Sequence, residues 1–258
     1  METVKLPKPT LILGAGIPST GKSMFLRALI PYIQDGLLVD KDILNHSFLA
    51  TKSDEDKAQE LSQYRFTGPQ IPRQDEHYKN HVRGQSYLCM IALARDNLAL
   101  QKNPAIDATF SEELKNNYLE KILIPFFEEV KNVDYIVKMV FFHADEQVIK
   151  ERMRYRQQLM AGQDTRDDEK LKSPGAWQKF LVKEPILPPQ LENYDHVKID
   201  TSDHENIDPK MKIRTTNIEA VEMNISKTLD YLLKEPTGPF LKGGRGVLIA
   251  TPPKGFAQ

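Results

Sequence analysis

Gly16-Ile17-Pro18-Ser19-Thr20-Gly21-Lys22-Ser23 spells G-x-x-x-x-G-K-S, a pattern whose chemistry is the holding of phosphate. The glycines let successive backbone N–H groups turn inward around an anion, Lys22 brings charge to the outer phosphates, and the Ser23 hydroxyl is placed to coordinate magnesium. Two further sets of side chains are spaced for chemistry. Acids close two short apolar runs, at Asp40 in Gly36-Leu37-Leu38-Val39-Asp40 and at Asp107 in Pro104-Ala105-Ile106-Asp107. Strand ends of this kind are where α/β sheets place reactive groups. Arg152 and Arg156 are four residues apart in a charged segment, so a helix there puts both on one face.

These groups need a frame, and the hydropathy pattern supplies one. Leu11-Ile12-Leu13 reads as a buried strand feeding the glycine-rich loop, and Met24 to Ile30 as a helix whose N-terminus points its dipole at the phosphates. Gly36 to Asp40 is a second strand. A long buried helix is expected from about Glu76 to Gln101, a third strand over Pro104 to Thr109 with the proline at its start, and an amphipathic helix from Ser111 to about Lys131. Tyr135 to Phe142 is rich in β-formers and leads into a charged helix through about Leu159. Val197 to Thr201 is the last strand and Asn217 to Leu233 the last helix. Five strands alternating with helices imply a parallel sheet covered on both faces.

The organisation expected is one α/β domain over residues 1–233, with a polar insertion at about 51–75, a lid at about 152–172 and an irregular tail over 234–258, rich in Gly and Pro. The chain has 258 residues, enough for one sizeable core. Thirty-five basic and thirty-six acidic side chains give a formal charge of −1, which offers no global footprint for nucleic acid or anionic membrane. The single cysteine, Cys89, lies in an apolar stretch and is expected to be a buried thiol. The first residues lack the apolar core of a signal peptide and no run of about eighteen apolar residues exists, so a cytoplasmic protein without a membrane span is expected. His77 and His81 have no third ligand in sight, and Trp177 reads as a packing residue.

The loop G-x-P-x-x-G-K-S, the Val39-Asp40-Lys41-Asp42-Ile43-Leu44 segment, Ile106-Asp107-Ala108-Thr109-Phe110-Ser111 and the arginine-bearing helix beginning near Glu146 together resemble the small P-loop kinases. That group includes polynucleotide kinase, zeta toxins, chloramphenicol phosphotransferase and gluconate kinase. The resemblance runs from about residue 9 to 233 and implies a five-stranded parallel sheet in the order 2-3-1-4-5, ATP and Mg2+ as cofactors, and transfer of the γ-phosphate to a hydroxyl of a small molecule, a nucleotide or a nucleic-acid 5′ end.

On that resemblance the acid just beyond the second strand, Asp42, orients the acceptor hydroxyl and takes its proton, with Asp40 and then Asp107 as alternatives. Either of the first two instead caps the following helix on a structural reading. Asp107 holds magnesium-bound water or meets the acceptor. Arg152 and Arg156, with Arg154 and Arg166 behind them, belong to a lid that closes on the transferring phosphate, or else form a solvated face. Arg73, Lys79 and Arg83 are placed to recognise a charged acceptor. Asn45 departs from the group, which often carries Arg three residues after the acid.

Phosphoryl transfer needs a donor clamp, a metal, an aligned acceptor and cations on the equatorial oxygens, and the chain offers a residue for each. A GTPase-like switch is disfavoured because no D-x-x-G occurs in the chain. The alternative is a nucleotide-binding regulatory or toxin-like protein that works through a protein partner. ATP against GTP, the acceptor and the oligomeric state stay open at this level.

Overall fold

Leu11, Leu13 and Ala15 turn to one side of the first strand and Ile12 to the other, and all six residues of that strand are buried. A strand with two apolar faces must lie inside a sheet covered on both sides. The computed structural model describes residues 1–49, 76, 78, 82–117, 119–128, 133–159, 167–208, 213–235 and 242–243. Its main sheet contains β1 (Thr10–Ala15), β2 (Gly36–Asp40), β3 (Asn103–Asp107), β4 (Tyr135–His143) and β5 (His196–Asp200) in the order β2-β3-β1-β4-β5. All four pairings along that path are parallel. This is the 2-3-1-4-5 order expected.

The helices that position the site are α1 (Lys22–Leu29), α2 (Lys41–Leu49), α3 (Arg83–Ala99), α4 (Glu146–Leu159), α5 (Pro174–Lys183) and α6 (Ile218–Leu233). On one face of the sheet Leu11, Leu13, Ile106, Val137, Met139 and Phe141 pack with Tyr87, Met90, Ile91, Ala94 and Leu98 of α3. On the other, Ile12, Ala105, Val140 and Phe142 pack with Phe25, Leu26 and Leu29 of α1 and with Val221, Ile225, Leu229 and Leu232 of α6. A third apolar cluster, Ile17, Ala144, Ile149, Met153, Trp177 and Phe180, joins the glycine-rich loop to α4 and α5. Register then does the placing. Gly14 and Asp40 both stand opposite Asp107, so the glycine loop and two acids share one edge of the sheet.

Several elements differ from expectation. The helix expected from Ser111 to about Lys131 is broken into Ser111–Lys115, a π-helical turn Leu119–Leu123, and Ile124–Glu128. Asn117 has φ 51°, a left-handed conformation that ends a right-handed helix, and Pro125 lacks the N–H needed to continue one. β3 starts at Asn103, one residue before the proline, and stops at Asp107 rather than Thr109. α1 begins at Lys22, and Ile30–Tyr32 tightens into a 3-10 turn. A two-stranded antiparallel hairpin, β6 (Glu205–Asp208) with β7 (Ile213–Thr216), lies where no strand was expected. Helix α5 was also not foreseen, although Ser173, whose side chain accepts from the Ala176 N–H at 3.1 Å, and Pro174 form a standard helix start. Within the tail expected to be irregular, β8 (Lys242–Gly243) pairs antiparallel with Tyr135 and Ile136. Cys89 is half-buried rather than buried, because the stretch around it is helical: Tyr87, Met90 and Ile91 are buried while Leu88 is 56% exposed. The 51–75 insertion, with Arg73, lies outside the described residues, as do Lys79, Arg166 and the His77/His81 pair. No described helix is long and apolar enough to cross a membrane.

Candidate active site at the phosphate loop

Two glycines shape the loop between β1 and α1. Gly16 has φ 143°, and a Cβ there would stand 2.4 Å from the Phe142 carbonyl oxygen. Gly21 has φ 74° and is the last residue before α1. Position 16 therefore requires glycine, and the left-handed backbone at Gly21 favours it. Between them Ser19 is also left-handed, at φ 68°. Ile17 is buried in the third apolar cluster and Pro18 is half-buried. The Thr20 hydroxyl donates to the Ile17 carbonyl at 2.9 Å, and the Thr20 carbonyl accepts from the Thr201 hydroxyl at 2.7 Å. The Gly16 N–H donates to the Thr109 carbonyl at 3.1 Å.

α1 has no side-chain cap at its N-terminus, which leaves its first N–H groups without a side-chain acceptor at the end where the helix dipole is positive. An anion fits such an end. Lys22 is 9% exposed, and its Nζ lies 2.7 Å from Oδ1 of Asp107. Asp107 is itself 4% exposed, and its Oδ2 is buried without a hydrogen-bond partner. A buried carboxylate oxygen left open in this way has lone pairs free for a cation or a hydrogen-bond donor. Ser23 is half-buried in the first turn of α1, beside Lys22. The donor set of Ser23 and Asp107, both oxygen ligands, suits magnesium.

The other strand-end acid is committed differently. Asp40 Oδ2 accepts from Arg27 Nη2 at 2.6 Å, while Oδ1 accepts from the N–H groups of Asp42 at 2.8 Å and Ile43 at 3.4 Å. It therefore caps α2. Burial, with the nearby charges of Asp107 and Asp42, raises its pKa above its ordinary value despite Arg27. Asp42 is exposed in the first turn of α2.

The arginines of α4 reach the loop from the far side. Arg152 is 6% exposed; its Nη1 donates to the Thr201 hydroxyl at 2.9 Å and to the Ser19 carbonyl at 3.4 Å, and its Nη2 donates to the Thr201 carbonyl at 2.5 Å. Its Nε stands 3.3 Å from Glu205 Oε2 in an ion pair. Arg156 Nη2 donates to the Ser19 hydroxyl at 2.9 Å, and its Nε donates to buried Asp167 at 2.7 Å. The helical spacing thus brings both side chains to Ser19. Arg154 is exposed. Arg83, at the start of α3, stands 3.5 Å from Glu113 and 42% of its side chain is exposed.

Sequence reasoning missed Arg27, Thr201, Glu205 and Glu113 as parts of this neighbourhood. Thr201 brackets the loop, α4 and the end of β4, to which its N–H donates at 3.0 Å through the His143 carbonyl. No local pattern announces it, since its partners lie 49 and 181 residues away. Among the described residues no group of three or more His, Cys, Asp or Glu side chains forms a metal cluster.

No protein-family model matches the chain, and no curated protein matches it in sequence. Solved structures do resemble it. A proposed kinase from Chloroflexus aurantiacus superposes with a TM-score of 0.52 at 16% identity, covering 87% of this chain and 98% of its own. A gluconokinase from Sinorhizobium meliloti aligns at 15% identity over 89% of this chain and 97% of its own, with a TM-score of 0.40. The PezAT toxin–antitoxin system of Streptococcus pneumoniae aligns at 11% identity over 90% and 89%, with a TM-score of 0.38. The sheet order and the first of these matches give the conclusion: the chain has the P-loop kinase-like fold.

Proposed function

We propose that the protein is an ATP-dependent kinase that transfers the γ-phosphate to a hydroxyl acceptor. The observation that carries this reading is the buried Lys22–Asp107 pair, with one Asp107 oxygen left open, at an uncapped helix N-terminus behind two positive-φ glycines. In this reading the backbone N–H groups of residues 19–23 cradle the phosphates and Lys22 moves from Asp107 to the outer phosphate oxygens. Ser23 and Asp107 would hold Mg2+, whose part is to neutralise charge on the phosphate oxygens. Asp42, exposed at the entrance to α2, accepts the proton of the acceptor hydroxyl as its oxygen bonds to the γ-phosphorus and the bond to the β-phosphate oxygen breaks, releasing ADP.

The two arginines divide the remaining work. Arg156, half-buried and bonded to the Ser19 hydroxyl, is the one we assign to the transferring phosphate. Arg152, enclosed by Thr201, Glu205 and the Ser19 carbonyl, positions the loop rather than closing over it. Within the 152–172 stretch we assign closure to Arg156, and to the 51–75 insertion the recognition of the acceptor.

The test is transfer of labelled γ-phosphate from ATP with magnesium into separated pools of small metabolites, nucleotides and RNA, with Asp42→Asn as control. A labelled product that disappears in the variant is expected. Saturable ATP binding with no product in any pool would overturn the reading in favour of a nucleotide-binding regulator.

A further inference from the structure

Asn45 is 2% exposed on α2, three residues beyond Asp42 and four beyond Lys41, so it shares a helix face with both. Neither its Oδ1 nor its Nδ2 has a hydrogen-bond partner. A carboxamide brings two donors and an oxygen with two lone pairs, and protein interiors leave very few such groups unpaired. α2 packs against α3, where the Lys41 ammonium lies 4.6 Å from the centre of the Tyr87 ring. The charges of this side already have counterparts: Arg83 faces Glu113 at 3.5 Å, and Glu113 is the main charged influence that, after burial, raises the Tyr87 hydroxyl's pKa.

We propose that Asn45 is the specificity-determining residue for the acceptor, and that it takes an uncharged hydroxyl-bearing group: the hydroxyls of a sugar or polyol, free or within a nucleoside. A phosphate or carboxylate accepts only. It would serve Nδ2 and leave Oδ1 facing like partial charge in a buried place. A hydroxyl both donates and accepts, so one or two of them satisfy the whole amide. The proposal rests on the reading of this edge as the acceptor side of a kinase.

The full-length protein, saturated with ADP and magnesium, is titrated calorimetrically with glucose, ribitol and uridine as uncharged probes and with glucose 6-phosphate and uridine monophosphate as charged ones. At least one uncharged probe is expected to bind, and both Asn45→Leu and Asn45→Asp to weaken it by about fivefold or more. Without ligand, Asn45→Leu is expected to melt about 2–4 °C above the unsubstituted protein, because it removes an unsatisfied buried amide. Binding of none of the uncharged probes, binding by both variants as tight as by the unsubstituted protein, or a lower melting temperature for Asn45→Leu each overturns the proposal. Labelled transfer keeps the two readings apart. An uncharged probe that binds through Asn45 but is never phosphorylated leaves the subsite standing and removes the kinase. Phosphorylation of a charged acceptor only, indifferent to Asn45, does the reverse.

Discussion

The ends of β3 and β5 carry nearly the same sequence, Ala-Ile-Asp and Lys-Ile-Asp, and put their acids to opposite uses. Asp107 is 4% exposed, paired to Lys22 and left with one open oxygen. Asp200 is exposed; burial pushes its pKa up, but the Ser202 N–H at 2.9 Å and hydroxyl at 2.6 Å outweigh that and hold it below the ordinary value. Asp40, at the end of β2, is a third case, spent on Arg27 and on the cap of α2. An acid at a strand end is therefore an opportunity, and its neighbours in space decide whether it becomes chemistry, a cap or a turn. β3 lies beside β1 and so faces the glycine loop, whereas β5 is two strands from it.

Substitutions at these three acids test that contrast, and the largest effect belongs to the first. Asp107→Asn is expected to lower phosphoryl transfer by about 100–1,000-fold, measured as the initial rate at saturating ATP. Removing one partner of a buried ion pair should also cost about 3 kcal/mol in denaturant unfolding. If Asp200→Asn lowered transfer as far, the contrast between the two strand ends would collapse. Asp40→Ala should cost about 1–2 kcal/mol by the same unfolding measurement, since it removes the helix cap and an ion pair with Arg27. Asp200→Ala should cost less than about 1 kcal/mol. Because its folded pKa is depressed, that contribution is present above 3.8 and lost as pH falls through the folded value.

A pH effect extends the contrast to the residues just past β5. His204 is fully buried, stacked on Phe25 at 5.7 Å, and its Nε2 accepts from Asn224 Nδ2 at 2.8 Å. Burial, then the charge of Arg152, lowers its pKa below 6.5. The unfolded chain therefore binds the more protons between the folded value and 6.5, and stability should fall as pH drops through 6.5 toward that lower value. Melting temperature against pH should show a shallower slope in this range for His204→Gln.

How much of this was legible in the chain follows from the range of the forces involved. β1, the glycine loop and α1 are contiguous, so apolar run, glycines and lysine were readable together. The i,i+4 spacing of Arg152 and Arg156 likewise predicted their shared face, and both do meet Ser19. The helix expected after Ser111 failed because periodicity does not register a left-handed residue such as Asn117. The β6–β7 hairpin was missed because each strand is only four residues long.

The sequence by itself determined the parallel α/β frame, through strands apolar on both faces, and the loop, through glycines at positions where φ is positive. Tertiary structure alone decided the state of each polar group. Whether Asp107 keeps an open oxygen, whether Arg152 is enclosed by Thr201 and Glu205, and whether Asn45 finds a partner depend on residues tens to hundreds of positions away. Hydrophobic periodicity is local and survives in the order of residues, whereas burial and hydrogen-bond satisfaction exist only once distant segments share a neighbourhood.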